Sequence, residues 1–187
     1  MTTERFVQDL HKTSQKTAAS RLQIYCSSAN VQVYDLMERN FQPSYKNLVM
    51  ILIVSSDFYQ SLKFFFNWES TAPLLKLIYK NGVPEGEKEH LIVDMFKEVA
   101  NLSAGQMKRL LNKSNIHSDI SLPISMRGYD DLFSNQSNNP QQYTQSWKFE
   151  VGDSNLIFTS AIESRGDLSP HQLTEEVEDN DDSIEFF

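Results

Sequence analysis

Apolar residues recur at two different periods along this chain, and the change of period marks its elements. Ile92, Met95, Phe96, Val99, Ala100, Met107, Leu110 and Leu111 share one side at helical spacing, interrupted mainly by Ser103 and Gln106. The spacing predicts one long helix from Glu87 to Asn112, roughly 39 Å in length at 1.5 Å per residue. Acidic residues in "VPEGEKEH" suit its start, and Lys108, Arg109 and Lys113 suit its end, as the helix dipole asks. Upstream, "NLVMILIV" (Asn47–Val54) is β-branched and wholly apolar, the pattern of a strand covered on both faces. "SSDFYQ" is expected as a turn. "SLKFFFNW" then alternates, with Leu62, Phe64, Phe66 and Trp68 on one face, so the two runs predict a hairpin.

A short helix is expected next, capped by Ser70 or Thr71, with Pro73 in its first turn and Asn81-Gly82 closing it. Past the long helix, "ISLPISMRG" alternates, and Pro123 makes it an edge or bulged strand. "SNQSNNPQQYTQS" reads as a polar loop. "WKFEV" and "NLIFTSAIE", separated by Gly152-Asp153-Ser154, predict a second hairpin. The first forty residues are expected to hold two helices, one in "ERFVQDLHKTSQKTAASRL" and one in "NVQVYDLMERNF", ending at Pro43. Strands fall in antiparallel neighbours and not in βαβ alternation, which makes the fold class α+β, an antiparallel or mixed sheet packed against long helices. Residues 1–164 form the expected single domain. From 165 to 187 the composition turns to an acidic tail with few core residues, expected to be disordered, ending in Phe186-Phe187.

Composition narrows the function. At 187 residues the chain suits one domain, and 40% apolar content is enough for a core, although a mean hydropathy of −0.45 implies long polar stretches. A net charge of −8 argues against nucleic acid as a partner, which requires a basic footprint. The single cysteine, Cys26, cannot form an internal disulfide; it has no nearby catalytic His and reads as a buried structural thiol. Met1-Thr2-Thr3-Glu4 lacks the basic and apolar regions of a secretory signal, and Leu48–Val54 is too short to span a bilayer. A soluble, cytoplasmic protein without membrane contact is the expectation. His11, His90, His117 and His171 share no metal-ligand spacing. No G-x-S-x-G, P-loop or G-x-G-x-x-G is present. The aromatics Phe64, Phe66, Trp68, Trp147, Phe149 and Phe158 are expected in the core.

The unusual feature is the polar side of the long helix. At about 100° per residue, with Asp94 at zero, Glu98 lies near about 40°, Asn101 near about 340° and Gly105 near about 20°. Exposed helical faces are ordinarily just solvated. A helix-interior glycine, however, costs roughly 1 kcal/mol relative to alanine, and close approach of a partner would account for it.

The pattern Asp94-x-x-x-Glu98-x-x-Asn101, followed by Gly105, resembles the signature of the CheC/CheX/FliY family, the bacterial phosphatases of phosphorylated response regulators. "ISLPISMRG" resembles the strand that follows this helix in CheX-type members, and the element order over about residues 40–164 is also similar. CheC-type members carry two signature copies; this chain carries one, as CheX-type members do. "SSDFYQS" stands where the family often has a glycine-rich turn, and Gln106 where a smaller residue or Asn is frequent. The resemblance implies a substrate, the aspartyl phosphate of a CheY-like receiver that itself holds Mg²⁺, with no cofactor on this chain. It further implies that Asn101 positions the attacking water, that Glu98 pairs with the receiver's active-site lysine, that Asp94 makes a peripheral contact, and that Gly105 admits the receiver's loops. A homodimer is implied as well. Two other readings stand beside it: a non-catalytic interaction module on the same fold, binding receivers or flagellar switch proteins, and an enzyme using Asp94 and Glu98 as a carboxylate pair, which needs a concave, partly apolar pocket around them.

Overall fold

The computed structural model describes residues 2–36, 45–79, 82–84, 86–127 and 141–174. Among them the elements run α1 (Thr3–Tyr25), β1 (Val31–Leu36), β2 (Asn47–Ser55), β3 (Phe58–Phe66), α2 (Trp68–Ile78), α3 (Lys88–Lys113), β4 (Ser118–Ile120), β5 (Ile124–Arg127), β6 (Gln142–Val151) and β7 (Ser154–Ser164). The strands form one sheet of order β1-β6-β7-β3-β2-β4, with β5 also on β2, and every described pairing is antiparallel. This is the α+β architecture the sequence predicts.

Alternation within the strands sorts side chains onto two faces. Val49, Ile51, Ile53, Phe58, Phe64, Phe66, Trp147, Phe149, Phe158 and Ile162 point to one face, where they join Phe6, Leu10, Leu22, Phe96, Val99 and Met107 from α1 and α3 in the main core. The other face carries a smaller cluster of Leu48, Phe65 and Ile157. β2 is therefore covered fully on its helix side, whereas Met50, Leu52 and Val54 on the other are half-buried. Cys26 is buried, and burial pushes its thiol up to about 11.

Several boundaries differ from the sequence expectation. "NVQVYDL" is an edge strand and not a helix: Val31–Leu36 pairs residue for residue with Ser146–Val151, and β-branched Val31 and Val33 pack under the main core. The remainder of that expected helix, with Pro43, lies outside the described residues. The β2–β3 turn is only Ser56-Asp57, because the Ser55 hydroxyl accepts from the backbone N–H groups of Asp57 (3.2 Å) and Phe58 (3.1 Å), closing the hairpin early. Trp68 opens α2 instead of ending β3. Asn67 precedes that helix, and both Ser70 and Thr71 donate to its carbonyl, at 3.1 and 2.8 Å. Pro73 falls inside α2, past its first turn. Gly82 has the positive φ of 77° expected of it; Asn81 is not among the described residues. Gln142–Ser146, expected in a polar loop, extend β6, and the β6–β7 turn is Gly152-Asp153 with Gly152 at φ 56°. "ISLPISMR" divides at Pro123 into β4 and β5 along one edge of the sheet, where Leu122 is 83% exposed.

Residues 165–174, counted with the tail in the sequence reading, lie against the domain. Leu168 is fully buried, the Arg165 N–H donates to the Asp57 carbonyl (2.8 Å), His171 Nε2 is 3.0 Å from Asp57, and Thr174 meets Ser114 at 2.8 Å. The acidic run after Thr174, with Phe186-Phe187, is outside the described residues.

α1 begins at Thr2, whose hydroxyl accepts from Arg5 N–H at 3.3 Å. Its buried face is partly polar. His11 Nδ1 is 3.0 Å from the Ser160 hydroxyl; Gln60 donates to both Ser160 (2.9 Å) and Ser14 (2.7 Å), and Ser14 donates to the Leu10 carbonyl (2.7 Å). Because Gln60 donates to it, the Ser160 hydroxyl keeps its own proton to donate to a neutral imidazole. Burial lowers the His11 pKa from 6.5 to about 4. The unfolded chain therefore binds one more proton between these values, so stability is complete above pH 6.5 and falls as pH drops from 6.5 toward 4. The expected loss is roughly 3 kcal/mol, and His11→Asn should flatten that segment of a denaturant-midpoint-against-pH curve.

Candidate functional site

α3 presents the candidate residues because its other side is committed to the core. Ile92, Met95, Phe96, Val99, Ala100, Ser103, Ala104, Met107, Leu110 and Leu111 are buried. Phe96 packs at a tilt against Phe66 with ring centroids 4.4 Å apart and stacks on Phe64 at 6.1 Å, fixing α3 over β3. The two apparent breaks in the apolar side are both accounted for. Ser103 donates to the Val99 carbonyl at 2.6 Å, and Gln106 Oε1 accepts from Arg21 Nε (3.2 Å) and Nη2 (3.1 Å), a fork that clamps α1 to α3. At the far end Asn115, φ 59°, and the Ile116 N–H to Leu111 carbonyl bond (2.8 Å) close the helix in a Schellman motif. Lys108, 3.0 Å from Asp119, ties the same end to β4.

Opposite this packed side, Asp94, Glu98 and Asn101 are all exposed, and Gly105 is half-buried on the same stripe. Asp94 is 3.6 Å from Lys97 in a solvent-exposed i,i+3 pair, an interaction of little strength. Glu98 and Asn101 stand three residues apart, so their side chains are neighbours on the surface. Among the described residues, a methyl group at Gly105 would meet nothing within 4 Å, so none of them requires glycine there.

Two side chains border the stripe that its periodicity does not reveal. Tyr25, in the last turn of α1, is held above the ordinary tyrosine pKa by burial, then by the carboxylate of Glu98 and the phenol of Tyr79. Arg21, one turn earlier, is 7% exposed and carries the fork to Gln106. Neither is legible in advance, because the register of α1 against α3 is set by tertiary packing. An open cleft of about 380 Å³ lies nearby between α2 and the start of α3, lined by Trp68, Pro73, Leu75, Tyr79, Val83 and Lys88 among others. Its lining does not include Asp94, Glu98 or Asn101, so the carboxylate-pair reading gains no pocket from it. Among the described residues no cluster of three or more His, Cys, Asp or Glu is arranged to hold a metal ion, and no helix is long and apolar enough to cross a membrane.

No protein-family model matches the chain, and no curated protein matches it in sequence. Solved structures do. A chain of the CheX–CheY–BeF₃–Mg²⁺ complex from Borrelia burgdorferi aligns with TM-score 0.65 at 16% identity, over 81% of this chain and 96% of that one. The chain has the fold of the CheC/CheX proteins. The chemotaxis protein CheX of Vibrio vulnificus aligns with TM-score 0.60 at 14% identity, covering 83% and 99% of the two chains. A CheC-like superfamily protein from Shewanella sp. PV-4 gives 0.59 at 14%, covering 81% and 96%. These alignments cover 81–83% of the chain, more than the segment 40–164 on which the sequence resemblance rests.

Gly105→Ala should stabilise the isolated protein by up to about 1 kcal/mol, since it removes the backbone-entropy penalty of a helical glycine without a clash. Chemical denaturation of the two variants side by side reads this directly.

Proposed function

We propose that this chain is a phosphatase of phosphorylated response regulators, acting on the aspartyl phosphate of a CheY-like receiver in chemotaxis or a related two-component pathway. The observation that carries the reading is the pairing of Glu98 and Asn101, exposed side by side on a helix whose opposite face is locked into the core of a CheX-like fold. The B. burgdorferi structure, a complex of CheX with CheY, supports a receiver as the partner.

An acyl phosphate is intrinsically labile, so its hydrolysis requires a water held in line and little covalent help. A carboxamide suits that task. The Asn101 oxygen accepts a hydrogen bond from the water without setting a full negative charge beside the phosphoryl oxygens. Its rigidity comes from α3, because Val99 and Ala100 before it and Ser103 after it are buried. Glu98 supplies the charge that pairs with the receiver's lysine, a bond strengthened as the interface desolvates. Asp94 lies a turn further out, where it contacts the receiver's rim. Gly105 leaves the surface beside Asn101 low enough for the receiver's loops. Mg²⁺ belongs to the receiver, and this chain contributes no metal ligand. The homodimer is part of this proposal, with sedimentation equilibrium as its test.

Phosphorylated receivers from the same cell, incubated with the full chain, should lose phosphate faster than alone. Asn101→Ala should slow that loss roughly 10²-fold or more while leaving the melting temperature unchanged, comparable to removing one preorganised polar group. Glu98→Ala should raise KM as well as lower the rate. Gly105→Ala, although more stable, should bind the receiver more weakly. Wild-type rates in both the Asn101 and Glu98 variants would overturn the assignment, and receiver binding without faster phosphate loss would establish the non-catalytic module in its place.

A further inference from the structure

The chain carries a net charge of −8, yet cations prevail at the cleft between α2 and the start of α3. Among the described residues that line it, Lys76 and Lys88 are the cations and Glu69 is the one acid. Glu69 is already held by Lys46 at 2.8 Å, so Lys76 from α2 and Lys88 from α3 set the sign of the opening. The walls between them are apolar. Trp68, Ala72, Leu75 and Tyr79 recur at helical spacing, which turns one side of α2 and its cap toward the cleft. Leu75 is buried, Trp68 rests half-buried on the main core, and Tyr79 is exposed. Small residues keep the space open: Ala72 on α2, and Gly82 between the helices, where among the described residues a methyl group would meet nothing within 4 Å. The volume of about 380 Å³ lies within the range of small-molecule sites.

We propose that this cleft is a binding site for a small planar aromatic anion, its ring system against Trp68 and Tyr79 and its acidic group at Lys76 and Lys88. The indole and the phenol offer offset and edge contacts that favour a ring over an aliphatic chain. An anion without a ring would leave the apolar wall in water. Two ammonium groups disfavour a cation, and a neutral ring gains nothing from them, so charge separates the ligand classes here. The chain as a whole repels anions, and the attraction is therefore local, as lysines at the opening make it. The site is distinct from the Glu98–Asn101 pair. Ten residues of α3, a rise of about 15 Å, separate Lys88 from Glu98, and the inference does not depend on the phosphatase reading.

The test uses the full chain with naphthalenesulfonate as the probe. The chain has two tryptophans, Trp68 at the cleft and Trp147 buried in the core, so their indole N–H signals report on different places. The Trp68 signal, assigned by its loss in Trp68→Phe, should shift saturably as the probe is added, while that of Trp147 stays. Naphthylmethylammonium, similar in size and opposite in charge, should bind at least about tenfold more weakly. Lys76→Glu should raise the Kd of the probe by about tenfold with the melting temperature unchanged, the scale of losing one hydrogen bond to a charged group. Ala72→Leu, which fills the cleft with a good helix former, should abolish the shift. Absence of a saturable shift, equal movement of both indole signals, equal binding of the cation, or a wild-type Kd in either variant would overturn the proposal. Each readout is binding to the isolated chain, so its failure is distinguishable from a failure to accelerate a receiver's phosphate loss.

Discussion

The rest of the molecule depends on how α3 is seated. Phe96, wedged against Phe64 and Phe66, and the buried Val99, Ala100, Ala104 and Met107 commit one side of a 26-residue helix to the sheet. Fully burying a large apolar side chain contributes on the order of 1.5–3 kcal/mol, so rotating the helix by one position would forfeit several such terms at once. No comparable force acts on Asp94, Glu98 or Asn101. Their outward direction is a by-product of the burial behind them, and that is why an exposed pair of polar side chains can be so well oriented.

The same constraint explains what was legible in the sequence. α3 was visible to within one residue at each end because its apolar period is long and uninterrupted by proline. β2, β3, β6 and β7 were visible as runs, although their ends were not. Ser55 closes its hairpin through a side-chain bond that no hydrophobic pattern encodes, and Gln142–Ser146 extend β6 because β7 offers a partner for every residue. β1 was read as helix for a related reason. Six residues alternating around Tyr34 are compatible with either state, and pairing with β6 decides between them. Leu168 and His171 lie in a polar stretch that resembles a tail until Phe6 and Asp57 are brought beside them.

At the site, periodicity alone placed Asp94, Glu98, Asn101 and Gly105 on one stripe, and they share one face of α3. What those four do chemically rests on the proposal above. Arg21 and Tyr25 escaped notice because their meaning depends on two helices meeting, and a single sequence shows one helix at a time. Ser103 and Gln106 looked like defects in an apolar face. One satisfies its hydroxyl within the helix, and the other receives a guanidinium from α1.

The polar ties of α1 have a consequence for biosynthesis. His11 meets Ser160 across 149 positions, and the Thr3 hydroxyl meets Asp167 across 164. A ribosome has emitted nearly the whole domain before either tie can form, so α1, made ahead of the strands it packs on, settles only after them. Such distant contacts slow folding and leave the apolar stripe of Phe6, Leu10 and Leu22 uncovered in the meantime. Nascent chains stalled before the last strand should consequently depend on chaperones in a way the released protein does not.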